Sequence, residues 1–231
     1  MPWLCFLLVS SSLQTAKPLR FDFTALTAVR DSFVFYLSGD ARGQAVWQYD
    51  IQGGQVIFTA TSELRPADAE SLRVVIDRRT GAPVSTFHRI AVFNPQSDTV
   101  LVEHDLTVRQ GHVEGTLRVG LRDGRVSTHP VRTRLPKGTV WSDYALLAAP
   151  VAVARPGDAL SGSAYSEFGD SLTTLSLVAE TPVTITVPAG TFETLPLRSA
   201  VVRLYVTRTT PRRVVKGESL DGAFRFELVT N

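Results

Sequence analysis

Apolar and polar residues alternate with a period of two through most of this chain, and turn-forming residues interrupt the alternation at regular intervals. Phe33, Phe35 and Leu37 alternate with Val34 and Tyr36 before "SGDARG" intervenes. Trp47, Tyr49 and Ile51 form the next run, Gly53-Gly54 breaks it, and Val56 and Phe58 resume. Period two sends successive side chains to opposite faces of a strand. A Gly-Gly pair between two such runs reads as a hairpin, because glycine reaches positive φ without a Cβ clash. The pattern continues through "LRVVID", the turn "RRTGAP", and "VSTFHRIAVF", which Asn94-Pro95 ends. "TVLVEHDLTVR" and "VEGTLRVGLR" flank Gln110-Gly111, and Asp123-Gly124 leads into "RVSTHPVRTRL". Short β runs at such spacing predict an all-β fold: a single antiparallel barrel or open half-barrel, with a two-sheet β-sandwich as the alternative.

One segment departs from the rhythm. "SDYALLAAPVA", from Ser142 to Ala152, opens on residues suited to capping a helix, continues with good helix formers and meets Pro150. One short helix is expected there, laid across the sheet or over a barrel mouth. "RPGD", at Arg155 to Asp158, is a turn back into strands. No shift of composition marks a linker, so residues 17–231 read as one antiparallel β domain of a 231-residue chain.

The first 16 residues read differently. Trp3 to Val9 is an unbroken apolar run followed by Ser, Thr and Ala residues and then Lys17. That run is too short for a bilayer, which takes roughly 20 apolar residues, but it suits the central region of a secretory signal peptide, with cleavage after Ala16. No basic residue precedes the run, and the alternative is a buried N-terminal strand of a cytoplasmic protein. Export to a periplasm or cell envelope is the expectation. The single cysteine, Cys5, precludes an intramolecular disulfide, and "PWLC" is not a lipidation signal.

A net charge of +2 gives no electrostatic case for nucleic acid. The basic residues Arg203, Arg208, Arg212, Arg213 and Lys216, with Arg198 and Arg225 nearby, do crowd the C-terminal hairpins. They read as a solvated face that protects strand edges, or as a surface touching anionic lipid.

Candidate chemistry is sparse. "FGDSLT", Phe168 to Thr173, contains the Gly-Asp-Ser-Leu signature of a lipase and esterase family, in which Ser171 would be the nucleophile. That family places its histidine far downstream of the serine, and here no histidine follows His129. The remaining histidines are His88, His104 and His112. Glu103 and Asp105 flank His104, yet neighbours on a strand point to opposite faces, and no His-x-His pair offers zinc spacing. His88 shares a face with Thr86 and Ile90 and reads as a structural or exposed histidine. No glycine run forms a phosphate loop. No catalytic residue, metal or cofactor is expected.

The stretch "VTITVPAGTFETLPL", Val183 to Leu197, reads as a hairpin. Pro188 suits the first central position of a type I turn. Gly190 would close a three-residue loop in the left-handed conformation, with Phe192 starting the returning strand. The same stretch carries a resemblance. Thr186 to Glu193, the strand Val201 to Val206, "PRRVVKGE" at Pro211 to Glu218 and Phe226 to Val229 together resemble the C-terminal half of domain of unknown function 3108, with Leu204-Tyr205 where that family often has a Trp-aromatic pair. "LLAAPVAVARPGDAL" is similar to the segment that precedes these pieces. The resemblance implies an exported bacterial envelope β-protein, some of whose relatives are similar to the half-barrels that carry lipoproteins across the periplasm. It implies no enzyme activity.

These readings converge on a non-enzymatic envelope protein whose β-barrel cavity binds a lipid or a lipidated or hydrophobic partner. Residue size and alternation nominate Trp47, Phe58, Phe87, Trp141, Tyr165 and Phe192 for that cavity. The alternatives are an interaction module with a filled core and an esterase using Ser171.

Overall fold

The computed structural model describes residues 16–230. The expected leader, with Cys5, therefore lies outside the described residues except for Ala16. Seventeen strands follow in chain order. The first group is β1 (Lys17–Pro18), β2 (Val29–Leu37), β3 (Asp40–Gln52), β4 (Gln55–Leu64), β5 (Asp68–Asp77), β6 (Pro83–Val92), β7 (Thr99–Arg109), β8 (His112–Leu121), β9 (Val126–Arg134) and β10 (Val140–Trp141). After the helix α1 (Ser142–Leu147) come β11 (Ala159–Ser166), β12 (Ser171–Ala179), β13 (Val183–Val187), β14 (Gly190–Arg198), β15 (Val202–Thr207), β16 (Val214–Ser219) and β17 (Phe224–Thr230).

The turn residues act as their chemistry dictates. Gly53 (φ 55°) and Gly54 (φ 81°) join Gln52 to Gln55, and Gln110 (φ 49°) and Gly111 (φ 74°) join Arg109 to His112. Positive φ at both central positions is what a type I′ hairpin turn requires. The loop at Pro188 differs from expectation. Val187 pairs directly with Gly190, so the loop has two residues, Pro188 and Ala189, and Phe192 is the third residue of β14. Gly190 has φ +136°, well outside the left-handed helical well. The cause lies in the tertiary contacts: the Ala189 N–H donates to Leu228 O at 3.0 Å, which docks the loop on β17.

Strands β2 to β9 form an antiparallel meander. Strands β11 to β17 form a second run, and β17 pairs with β2, with Phe226 opposite Phe35, so all 17 strands belong to one sheet. Strands β1 and β10 add to β11 in parallel at one end of the sheet, and β9 stands at the other. No strand pairing among the described residues joins β9 to that first end. The molecule is thus an open half-barrel rather than a closed barrel or two packed sheets. Its concave face carries the core, including Phe33, Phe58, Leu106, Val206 and Leu228, each at most 1 % exposed.

Three irregular elements span the opening. The segment after β1 crosses to the β5–β6 turn, where the Arg78 guanidinium donates to the carbonyls of Phe23, Thr24 and Leu26. Helix α1 is tied to β3 because Tyr49 OH donates to Leu147 O. It is shorter than 142–152. Pro150 sits at the start of a 3-10 turn, Ala149–Val151, as expected of a residue that lacks the N–H a longer helix would use. The third element is the β11–β12 turn, described below.

Candidate ligand cavity

The inward faces of β2 to β6, β15 and β17 do not meet at the centre of the half-barrel. They leave a cavity of about 630 Å³, capped by α1 and the β11–β12 turn. Strand parity explains its walls. On β4 the residues that face inward are Ala60, Ser62 and Leu64, and opposite them in register on β5 are Leu72, Glu70 and Asp68. On β6 the corresponding residues are His88 and Ile90. Rings form the rest of the surface: Phe35, Trp47, Phe168, Phe224 and Phe226, with Leu146 and Leu147 from the helix and Leu204 from β15. The aromatic wall is interlocked, since Phe226 contacts Phe33 edge-on at 5.4 Å and Trp47 at 5.1 Å between ring centroids.

The ionisable side chains of the cavity are two carboxylates and one histidine, His88. Asp68 and Glu70 line it, and no lysine or arginine does among the described residues. Burial, and then the neighbouring Glu70 charge, raise the Asp68 carboxyl above the ordinary aspartate range. Glu70 lies 3.5 Å from His88 Nε2. Asp68 is the first residue of β5, at the end of that strand, and Leu72 lies four residues further in. At about 3.3 Å per residue that places the carboxylates over roughly the first 7 Å and the apolar wall beyond.

Of the six residues nominated from sequence, Trp47 lines the cavity. Phe58 lies behind it, fully buried, with its ring 6.2 Å from Trp47 and 4.8 Å from Tyr49. Trp141 and Tyr165 pack edge-on against each other at 5.8 Å as filled core. Phe192 is half-buried against the core near Gly190 and does not line the cavity. Phe87 is on the outer face, opposite Arg73 and Asp105, which are both exposed. Sequence reasoning missed Phe35, Phe224 and Phe226 as cavity residues, although each stands in a period-two run. It also missed Phe168, Asp68 and Glu70.

The "FGDSLT" segment is a structural clasp. Phe168 packs on the rings of His88 and His104 at 5.1 and 4.7 Å, and those two histidines are direct cross-strand neighbours. Glu167, 1 % exposed, accepts from Ser142 Oγ at 2.8 Å. Asp170 accepts from Tyr165 OH and from Thr133 Oγ1 of β9, both at 2.6 Å. Burial, reinforced by the Asp170 hydrogen bond, raises the Tyr165 phenol. Ser171 is exposed and stands opposite Ser166. The turn thus binds one end of the sheet to the other. On β7, Glu103 points away from His104 and pairs with Arg118 at 2.9 Å, as strand alternation requires. The described residues contain no group of three or more His, Cys, Asp and Glu that could hold a metal ion.

The basic cluster does not form one free surface. Arg213 makes a buried ion pair with Asp31 at 3.2 Å, and Arg212 donates to the carbonyls of Thr207 and Ala152. Arg208 pairs with Glu193, Arg203 bridges Glu180 and Glu218, and Lys216 pairs with Glu218. Burial pushes the Glu218 carboxyl up, but hydrogen bonds from Lys216, Tyr205 and Arg203 outweigh it and hold the group below the ordinary range. The Tyr205 phenol is pushed up to about 12 by burial and by its hydrogen bond to Glu218. Acids interleaved on neighbouring strands neutralise the cluster that looks unbalanced along the chain.

No family model matches this chain, and no curated protein matches it. Among solved structures, the chain is similar to the crystal structure of a beta-barrel-like protein of domain of unknown function DUF1849 from Brucella abortus. The TM-score is 0.51 at 13 % identity, over 89 % of this chain and 97 % of that one. The likeness is one of fold: this chain is a β-barrel-like protein, with the fold of a bacterial domain whose function is unknown.

Proposed function

We propose that this chain is a non-enzymatic envelope protein that holds the apolar part of a lipid, or of a lipidated or hydrophobic partner, inside its half-barrel. The observation that carries the reading is the cavity, whose volume of about 630 Å³ and five aromatic rings match the size and lining of small-molecule sites. The clasp at Phe168 and the helix shield its apolar wall from water, which favours a hydrocarbon occupant. Export rests on the apolar run Trp3 to Val9 and the small polar residues after it. Kinship with domain of unknown function 3108 belongs to the same proposal and rests on the C-terminal pieces between Thr186 and Val229.

N-phenyl-1-naphthylamine, an uncharged dye that fluoresces in apolar surroundings, tests the reading. Wild-type protein should bind it at one saturable site. Ala60→Phe projects a ring into the cavity from between Trp47 and Leu72 and should abolish that binding while the urea midpoint stays close to wild type. No saturable binding to the wild type, or equal binding to a folded Ala60→Phe variant, overturns the reading.

A further inference from the structure

We infer that the occupant of the half-barrel is a cationic amphiphile, with a hydrocarbon or aromatic body deep in the cavity and a single ammonium group held at its mouth by Asp68 and Glu70. The inference rests on the proposed ligand cavity and adds the chemical class of the ligand.

Charge complementarity decides the class. A fatty acid or phospholipid headgroup is anionic, and a site built for it would present a lysine or arginine. The described residues that line this cavity include neither; their one basic side chain, His88, lies under Phe168 and 3.5 Å from Glu70, and they include two carboxylates in succession on the inward face of β5. The nearby cations are turned away: Arg65 stacks on Phe93 at 4.1 Å, Arg89 pairs with Glu103 at 3.8 Å, and Arg225 lies over Tyr36 at 4.0 Å. An anionic headgroup would meet two like charges in a half-desolvated site. An ammonium group would meet the Asp68 carboxylate and, two residues on, that of Glu70 beside His88.

The gradient along β5 gives the orientation. Asp68 and Glu70 stand near the start of the strand, opposite Leu64 and Ser62, and Leu72 stands further in, opposite Ala60. A headgroup at this end of β5 leaves the chain to run along Leu72, Trp47 and Leu204. Trp47 and the four phenylalanines add negative ring faces, which attract alkylammonium groups and repel carboxylates. Burial and the Glu70 charge raise the Asp68 carboxyl, and a bound cation offsets both; Glu70 and His88 are the other titratable groups that face the site, and ligand affinity falls as Asp68 is protonated at acid pH.

The test uses three probes of one chain length, each below its micelle concentration: dodecylammonium, tetraethylene glycol monododecyl ether and dodecanoate. Each displaces the naphthylamine dye from full-length protein. The ammonium probe should bind about tenfold more tightly than the neutral ether, the effect of one charge-assisted contact, and dodecanoate should bind more weakly than the ether. The Asp68→Asn, Glu70→Gln double variant should bring the ammonium probe to the affinity of the ether and leave the ether unchanged. Equal or tighter binding of dodecanoate to the wild type overturns the inference and leaves the cavity reading standing. Retention of the ammonium preference in the double variant also overturns it. Failure of all three probes to displace the dye removes both readings. The wild-type comparison decides the charge question even where the double variant does not fold.

Discussion

Gly217→Ala asks whether Phe226 holds the cavity wall where the structure places it. Gly217 lies in β16, opposite Phe226 on β17 and Leu204 on β15. A methyl group there would stand 2.3 Å from two carbons of the Phe226 ring and 3.0 Å from Leu204 Cδ2. Carbon atoms rest at about 3.5–4.0 Å, so the ring has to retreat by roughly 1 Å or more. Gly217 is not at positive φ, so the cost is steric rather than conformational. The ring cannot retreat into the sheet, and Phe33 and Trp47 flank it at 5.4 and 5.1 Å. It moves into the cavity and loosens both ring contacts. Overpacking of this kind costs about 1–3 kcal/mol. Urea melts should show the lower midpoint, and the naphthylamine dye should bind more weakly because the ring occupies its space. An unchanged midpoint with unchanged dye affinity would refute the reasoning, and with it the register that sets Phe226 against Gly217.

Three further outcomes follow from the same geometry. Gly190→Val should cost about 1–3 kcal/mol, because φ +136° is strained for any residue with a Cβ while the nearest ring atom, on Phe192, is 3.8 Å away; a urea midpoint equal to wild type would contradict this. Glu218→Gln should flatten the acid limb of the stability curve: the folded carboxyl is held below its unfolded value, so its contribution is present above about pH 4.3 and is lost as pH falls through the folded value, and identical acid limbs in the two proteins would contradict it. Asp31→Ala should cost about 1–3 kcal/mol: it takes from Arg213 a carboxylate 3.2 Å away, but burial raises the Asp31 carboxyl more than Arg213 lowers it, so the pair is only partly compensated; a denaturant midpoint within error of wild type would refute that.

Local chemistry was legible in the chain. Gly53-Gly54 and Gln110-Gly111 mark two-residue turns because their positive φ is a property of the turn itself, and the Ser142 segment forms its helix where Pro150 allows. The concave side of the sheet was not legible. On β6 Phe87 stands out by its size, but its face also carries Ser85 and Arg89, and it is the face with Thr86, His88 and Ile90 that points inward. Phe168 covers His88 from a turn about 80 residues later in the chain, and period-two reasoning carries no information about a residue that covers a strand from above. The same limit hid the cavity acids. Asp68 opens a strand next to a turn, where carboxylates are ordinarily solvated, and only the curl of the sheet brings it to the mouth of an apolar space. The basic C-terminal cluster failed for a related reason: Glu180, Glu193 and Asp31 lie far from their arginines in the chain and beside them in the sheet.

The central claim is that the half-barrel is a container. Its most direct test is organic extraction and mass spectrometry of wild-type protein and Ala60→Phe purified in parallel from the native organism without detergent. The account predicts an aliphatic amphiphile in near-stoichiometric amount with the wild type and its loss from the filled variant. The same small molecules at the same level in both, or none with a wild-type protein that also fails to bind the naphthylamine dye, would contradict it.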